Sequence, residues 1–176
     1  MKGRDVHHDD TLSLEDFAGS VQNGTRLLGI DPGTKTLGMA ISDRGWAVAS
    51  PIGTVNRTKF KHDAEELRKV CEERKVGGVV MGLPVNMDGT EGPRCQSVRQ
   101  LASNLENLDW FDIPIFFWDE RLSTSAVEKF LVQEADMTRK RRAEIVDKAA
   151  AAYILQGALD AFARLNPSDN DDFDGF

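Results

Sequence analysis

Residues 26–42, RLLGIDPGTKTLGMAIS, decide the fold of this chain. Two apolar segments, 26–30 and 37–42, flank a Pro-Gly turn, and this pattern predicts two strands joined by a tight turn. A second short turn at residues 43–45, DRG, leads into a third strand near residues 46–55. Strands joined by such short turns pair in the antiparallel sense, so the segment predicts a three-stranded meander.

Helical and strand patterns alternate along the rest of the chain. Apolar residues recur at helical spacing over about residues 60–71 and again over 98–108. Near-continuous apolar runs at 77–83, GGVVMGL, and 113–118, IPIFFW, are typical of buried central strands. Further helices are expected from near residue 125 and over about residues 143–165. The order β-β-β-α-β-α-β-α-α predicts an α/β fold with a mixed five-stranded sheet flanked by helices.

The net charge of −7 lies entirely in the two ends of the chain. Residues 1–25 carry a net −3 and residues 166–176 a net −4, whereas residues 26–165 hold equal numbers of basic and acidic side chains. Acidic, polar ends of this kind predict disordered tails around one domain of residues 26–165. The neutral domain is compatible with a polyanionic substrate.

Targeting signals are missing from the sequence. No apolar run is long enough to span a membrane, and the acidic N-terminus resembles neither a secretory nor an organelle signal. The two cysteines, Cys71 and Cys95, stand outside any Cys-x-x-Cys pair, which favours reduced thiols. We therefore expect a cytoplasmic protein with no membrane partner.

Acidic residues stand at three separate places at the margins of the expected core. Asp31 directly follows an apolar strand, and Asp119 and Glu120 end the apolar run IPIFFW. Asp147 lies in an apolar helical stretch, with small residues following at the next turn. Ionised carboxylates at a core margin are costly unless they are paired or bound to metal. Together the acids suggest an oxygen-ligand site for a hard cation such as Mg²⁺ or Mn²⁺.

The same acids have ordinary structural alternatives. An aspartate before Pro-Gly often caps its own turn, and this is the alternative for Asp31. The adjacent acids at the strand end can pair with Arg121 or lie in solvent. Asp147 can form a surface pair with Lys148 or Arg141.

Other common catalytic and cofactor motifs do not occur. The three histidines and two cysteines show no zinc-ligand spacing. The sequence has no P-loop, no Gly-x-Gly-x-x-Gly, no Gly-x-Ser-x-Gly elbow, and no Cys/His arrangement typical of a covalent nucleophile. A hard-cation site therefore remains the chemistry that the residues favour.

Four segments in order resemble one known family. They are residues 29–35 (GIDPGTK), 82–90 (GLPVNMDGT), 119–124 (DERLST) and 146–151 (VDKAAA). These segments are similar to the ribonuclease-H-like nucleases of the YqgF/RuvX type, and the resemblance covers about residues 26–165. It implies a ribonuclease-H-like fold with an acidic active site at Asp31, Glu120 and Asp147. It also implies maturation of the 5′ end of the small-subunit rRNA precursor in the bacterial cytoplasm.

The expected function is thus a metal-dependent nuclease that hydrolyses phosphodiester bonds in structured RNA, either free pre-16S rRNA or rRNA on the ribosome. Asp31, Glu120 and Asp147 would hold Mg²⁺ or Mn²⁺ in a monomer or homodimer. Substrate phosphates would contact a further set of mostly basic residues: Lys35, Asn86, Arg121, Arg139, Lys140, Arg141 and Arg142.

Two alternatives remain open at this stage. One is a Holliday junction resolvase that acts on DNA, which an older attribution of the family suggests. The other is a nucleotide-binding module of the actin-like type, because the Asp-x-Gly-Thr turn also resembles the phosphate turn of those ATPases. Length argues against the second alternative, since actin-like proteins place ATP between two such domains.

Overall fold

A computed structural model describes residues 12–122 and 138–165, without the side chains of 139, 140 and 142–148. Its centre is a five-stranded sheet in the order β3-β2-β1-β4-β5. The strands are β1 (Arg26–Pro32), β2 (Thr36–Ser42), β3 (Ala49–Asn56), β4 (Val76–Leu83) and β5 (Ile115–Asp119). Strand β1 pairs antiparallel with β2 and parallel with β4, and β5 is parallel to β4. The predicted mixed five-stranded sheet is confirmed.

Helices cover both faces of the sheet. They are α1 (Leu14–Ser20), α2 (Phe60–Arg74), α3 (Pro93–Glu106) and α4 (Arg139–Leu165), and a 3₁₀ turn (Glu120–Leu122) follows β5. One apolar cluster joins α2 and α3 to the sheet, and a second joins α1 and α4 to the opposite face. Within the described ranges, no helix is long and apolar enough to cross a membrane.

Alternation along the strands decides which residues meet α4. Leu28 and Ile30 of β1 belong to the α2/α3 side, whereas Leu27 belongs to the α1/α4 side. Because side chains alternate along a strand, positions 27, 29 and 31 share the α4 side. Val80 of β4 also faces α4, so position 82 lies on that side as well.

Two glycines allow α4 to approach the sheet closely. A Cβ atom at Gly29 would lie 2.8 Å from Leu155 Cβ and 3.0 Å from the Ala151 carbonyl oxygen. A Cβ atom at Gly157 would lie 2.8 Å from Trp118 Cζ2. Small residues on α4 therefore pack directly against β1 and β5, as the Ala-rich pattern predicts.

The N-terminal expectation is wrong for part of its range. Instead of a disordered tail through residue 25, the chain forms α1, whose N-terminus is capped by the Ser13 hydroxyl accepting from the Asp16 N–H at 3.1 Å. Phe17 is fully buried between the rings of Phe116 and Phe162, with centroids 5.5 and 5.7 Å away. Val21 is buried in the same cluster, with Leu14 packed against it, so the apolar face of an otherwise acidic segment docks the helix.

Other boundaries differ by a few residues. Helix α4 begins at Arg139 rather than near residue 143, so the basic run at residues 139–142 forms its first turn. Strand β3 begins at Ala49, because the turn after β2 extends to Val48 through the Asp43 side chain, which accepts from the N–H groups of Ala47 and Val48. The helix expected near residue 125 and the tails at 1–11 and 166–176 lie outside the described residues.

Candidate active site

Asp31 stands at the end of β1, on the α4 side of the sheet. The turn that follows is closed by the backbone, since the Gly33 N–H donates to the carbonyl oxygens of Asp31 (3.0 Å) and Thr36 (2.9 Å). Gly33 is required there because a Cβ atom would lie 2.7 Å from the Thr36 carbonyl oxygen. The turn is therefore formed without the Asp31 carboxyl, which instead hydrogen-bonds Glu120.

Glu120 reaches Asp31 across the strand that separates them. It follows β5, and β4 lies between β5 and β1 in the sheet. The β4 residue at the crossing point is Gly82, which pairs with Trp118. A Cβ atom at Gly82 would lie 2.7 Å from Glu120 Oε1 and 3.2 Å from Glu120 Cγ. The missing side chain at position 82 is thus what opens the path between the two acids.

The pairing of two carboxyls changes the acidity of Glu120. Burial raises its pKa first, and the Asp31 charge and hydrogen bond raise it further, to about 7. Arg94 acts in the opposite direction and Asp119 adds to the increase. The Asp31–Glu120 pair therefore binds and releases a proton near neutral pH.

The neighbouring acid has a different environment. Asp119 forms an ion pair with Arg121, with Oδ2 2.6 Å from Nη2, and accepts from the Arg121 backbone N–H at 3.0 Å. Hydrogen bonding to Arg121 holds the pKa of Asp119 below its usual range. The salt-bridge alternative thus describes Asp119, whereas Glu120 turns toward Asp31. Arg121 also donates to the Met87 carbonyl at 3.4 Å, so it ties the loop after β4 to the end of β5.

Asn86 shapes that loop from within. Its backbone N–H donates to the Thr90 carbonyl at 2.9 Å, and its side-chain amide donates to Thr90 Oγ1 at 3.1 Å. Asp88 accepts from both the hydroxyl (2.6 Å) and the N–H (2.9 Å) of Thr90, which lowers the pKa of Asp88. Gly89 completes the turn with a φ of 88°. The exposed amide of Asn86 is therefore held at the rim of the site.

For the third predicted acid, the structure describes only the backbone position. Asp147 lies in α4, one turn before Ala151, whose carbonyl oxygen approaches Gly29. Its side chain is outside the described part of the chain. Among the side chains that the structure does describe, no group of three or more His, Cys, Asp or Glu could hold a metal ion.

The remaining predicted contacts are spread around the site. Lys35 is exposed in the turn after β1. Of the basic run at 139–142, only the Arg141 side chain is described; it is exposed, and its backbone N–H donates to Thr138 Oγ1 at 3.4 Å. The structure brings Asp31 and Glu120 together and places Asn86, Lys35 and Arg121 on the surrounding loops. The substrate roles of all these residues stay predictions.

Comparison with known proteins decides the family. The sequence profile of the RuvX family, described as Holliday junction resolvase, matches residues 25–161. The chain belongs to the RuvX family. This confirms the family resemblance seen in the four sequence segments.

Relatives within the RuvX family are similar over nearly their whole length. A protein of Rhodospirillum rubrum named "Putative pre-16S rRNA nuclease" is 56% identical over 155 residues, which is 88% of this chain and 95% of the relative. One of the same name from Phenylobacterium zucineum is 56% identical, covering 88% and 98%. Both the family and these names confirm the predicted enzyme class, a nuclease.

A solved structure with a much lower sequence identity also aligns with this chain. Thermus thermophilus RuvC, in complex with a Holliday junction substrate, aligns with 15% identity and a TM-score of 0.48, covering 80% of this chain and 96% of that chain.

The sequence did not identify two kinds of residue near the site. Gly82 was visible only as the first residue of a loop motif, although a glycine at a strand end is a known signal of close approach. Arg57 and Arg94 had no signal in the sequence, because only the fold brings them beside Asp31 and Glu120. Both arginines line a small pocket at the turn that follows Asp31.

Proposed function

We propose that this protein is a divalent-metal-dependent nuclease that matures the 5′ end of pre-16S rRNA in the cytoplasm. The observation that carries the proposal is the pair of carboxyls, Asp31 and Glu120, joined across Gly82. Two acids at hydrogen-bond distance repel each other when both are ionised, and a hard cation relieves that repulsion. The names of the pre-16S rRNA nuclease relatives support the substrate.

The donor set fits Mg²⁺ or Mn²⁺ because both described ligands are carboxylate oxygens at a half-buried sheet edge. Asp31 and Glu120 would hold the cation, and we propose Asp147 as the third ligand, since the helical repeat places positions 147 and 151 on the same side of α4. When bound, the metal supplies Lewis-acid activation of the phosphoryl oxygen and of the attacking water.

Residues of the chain supply the rest of the mechanism. Glu120, with its pKa of about 7, would act as a ligand of the cation in its deprotonated form. Asn86 is held rigidly enough at the rim to position a substrate oxygen. Lys35, Arg121 and the basic run at 139–142 would contact phosphates of the RNA.

The decisive experiment combines cleavage with metal binding. Purified protein is incubated with precursor 16S rRNA and, separately, with a DNA four-way junction, each with Mg²⁺, Mn²⁺ or EDTA. We expect metal-dependent cleavage of the precursor at the mature 5′ end and none of the junction. Cleavage of the junction alone would support the resolvase alternative, which the RuvX family description favours. Stabilisation by ATP without either cleavage would support the actin-like alternative.

A charge-removing variant tests the ligand set directly. Asp31→Asn keeps the size of the side chain but loses the anionic charge that a hard cation requires. It should fold, lose cleavage, and lose the increase in melting temperature that Mg²⁺ gives to the wild type. The matched control is Asp160→Asn, at an exposed position on α4 that bonds Gln156. Wild-type turnover by Asp31→Asn would remove Asp31 from the site.

A further inference from the structure

A small pocket at the turn that follows Asp31 has no role in the function proposed above. It has a volume of about 40 Å³ and lies between the turn after β1 and helix α3. Its polar lining comes from Thr34 and Ser97 and from two arginines, Arg57 and Arg94. None of the described residues that line it is acidic. The pocket is thus a concave site of positive charge.

The two arginines differ from the neighbouring Arg99 in forming no ion pair within the described part of the chain. Arg99, on the same helix as Arg94, is neutralised by Glu91, with Nη2 2.6 Å from Oε1. Within the described chain, neither Arg57 nor Arg94 has a carboxylate within 4.0 Å. Both guanidinium groups therefore have charge available for an anion from outside.

Arg57 is nevertheless held in place. Its Nη1 donates to the Gly33 carbonyl at 2.8 Å, and its backbone N–H donates to the Lys35 carbonyl at 2.8 Å. These bonds fix the guanidinium against the turn that directly follows Asp31. The bond to Gly33 uses one of the five N–H donors of the guanidinium group. A pre-positioned guanidinium loses little side-chain entropy when it binds phosphate.

Arg94 links the pocket to the acids. It lies in the first turn of α3 and is close enough to Glu120 to lower the pKa of that carboxyl. The pocket is therefore connected to both acids: Pro32 and Gly33, which line it, directly follow Asp31, and Arg94 acts on the charge of Glu120. An RNA strand that places one phosphate at these acids also places its neighbouring phosphate on the surface beside them, where the pocket lies.

We propose that Arg57 and Arg94 bind the phosphate of an RNA nucleotide adjacent to the scissile bond. The proposal rests on the nuclease function and specifies how the substrate strand is held in register. The hydroxyls of Thr34 and Ser97 also line the pocket and can donate to phosphate oxygens held there. Arginine is suited to this role because its planar fork matches two phosphate oxygens at once.

The test measures binding separately from cleavage. A short fluorescein-labelled single-stranded RNA containing the cleavage site is titrated with full-length protein in EDTA, at several salt concentrations. In Arg57→Gln/Arg94→Gln the dissociation constant should rise roughly ten- to hundredfold, since charge-assisted bonds are lost. The salt dependence should flatten by roughly 0.7 log units per lost phosphate contact. The control, Arg44→Gln/Arg164→Gln, removes two exposed charges near the opposite strand ends and should bind nearly as the wild type does.

A linkage scan identifies the phosphate. Each phosphate of the RNA is replaced in turn by a neutral methylphosphonate. At one position adjacent to the cleavage site, the wild type should lose affinity and the double arginine variant should lose none, because that contact is already missing. If the double variant is unstable, Arg57→Lys with Arg94→Gln retains a donor for the Gly33 carbonyl and serves in its place.

The outcomes separate this inference from the proposed function. Absence of metal-dependent RNA cleavage by the wild type refutes the function itself. Normal cleavage by the wild type, with an unchanged dissociation constant and salt dependence in the variants, overturns the pocket alone. A shifted pH profile of cleavage with unchanged binding also overturns it, since Arg94 would then act only on Glu120.

Discussion

Replacing Glu120 by glutamine should stabilise the metal-free protein at neutral and alkaline pH but not at acidic pH. The pKa of Glu120 is raised in the folded chain from 4.5 to about 7, first by burial and then by Asp31. In the unfolded chain this side chain ionises freely above pH 4.5. The folded state holds the proton more tightly, so stability is lost as pH rises from 4.5 to 7 and stays lost above that.

The size of the effect follows from the shift. Each pKa unit corresponds to about 1.36 kcal/mol, so a shift of about 2.5 units costs the wild type about 3 kcal/mol at pH 8. Glutamine cannot ionise, and its amide can donate to Asp31 as the protonated acid does. For a chain of this size, about 3 kcal/mol corresponds to roughly 6–12 °C in melting temperature.

The assay is thermal and urea unfolding of both proteins in EDTA between pH 4.5 and 8.5. The difference between Glu120→Gln and the wild type should grow with pH up to about 7 and then remain constant. A control is Glu73→Gln, at an exposed position on α2, where the difference should not change with pH. Parallel curves for Glu120→Gln and the wild type would show that the two carboxyls do not share a proton.

Further predictions follow from packing and charge. In Gly82→Ala combined with Ile154→Val, the second change removes the Cδ1 atom that the new methyl would otherwise meet at 2.6 Å, so the remaining clash is with Glu120. Cleavage should fall at least tenfold with folding retained, whereas the control Gly19→Ala, with nothing within 4 Å, should change neither cleavage nor folding. Phe17→Ala should cost about 3–5 kcal/mol in urea unfolding, and a chain beginning at residue 25 should be destabilised at least as much; unchanged unfolding would show that α1 is dispensable. Changing the basic residues at 139–142 to glutamine should flatten the salt dependence of RNA binding by roughly 0.7–0.9 log units per lost contact, measured by fluorescence anisotropy, and an unchanged slope would make the run a solvated helix start.

The sheet could be predicted because its signals are local. Short turns require β1, β2 and β3 to be antiparallel neighbours, and apolar runs separated by helices require buried parallel strands. Helix α1 was not predicted, because the acidic residues of this segment indicated a disordered tail more strongly than its apolar spacing indicated a helix. Leu14, Phe17 and Val21 stand three and four residues apart, as on one helix face, and the Ser13 cap was also visible.

The composition of the site could be predicted better than its geometry. Carboxylates that follow apolar strands were clear in the sequence, but their distance depends on strand order, which pairs β1 with β4 rather than with β5. The crossing from Glu120 to Asp31 also depends on a glycine in the intervening strand. Arg57 and Arg94 are 37 residues apart in the sequence and meet only through the tertiary fold.

The contrast between Asp119 and Glu120 shows how position along a strand divides two adjacent acids. Adjacent residues of a strand face opposite sides, and Trp118 of β5 belongs to the α4 side. Position 120 continues on that side and meets Asp31, whereas Asp119 meets Arg121. Arg121 lowers the pKa of Asp119, while burial and Asp31 raise the pKa of Glu120. At neutral pH Asp119 is therefore a fixed anion that anchors a loop, whereas the Glu120 carboxyl binds and releases a proton in this pH range. An exchange of the two residues, Asp119→Glu with Glu120→Asp, would keep the charge but shorten the side chain that must cross β4, so it should abolish cleavage while preserving the fold.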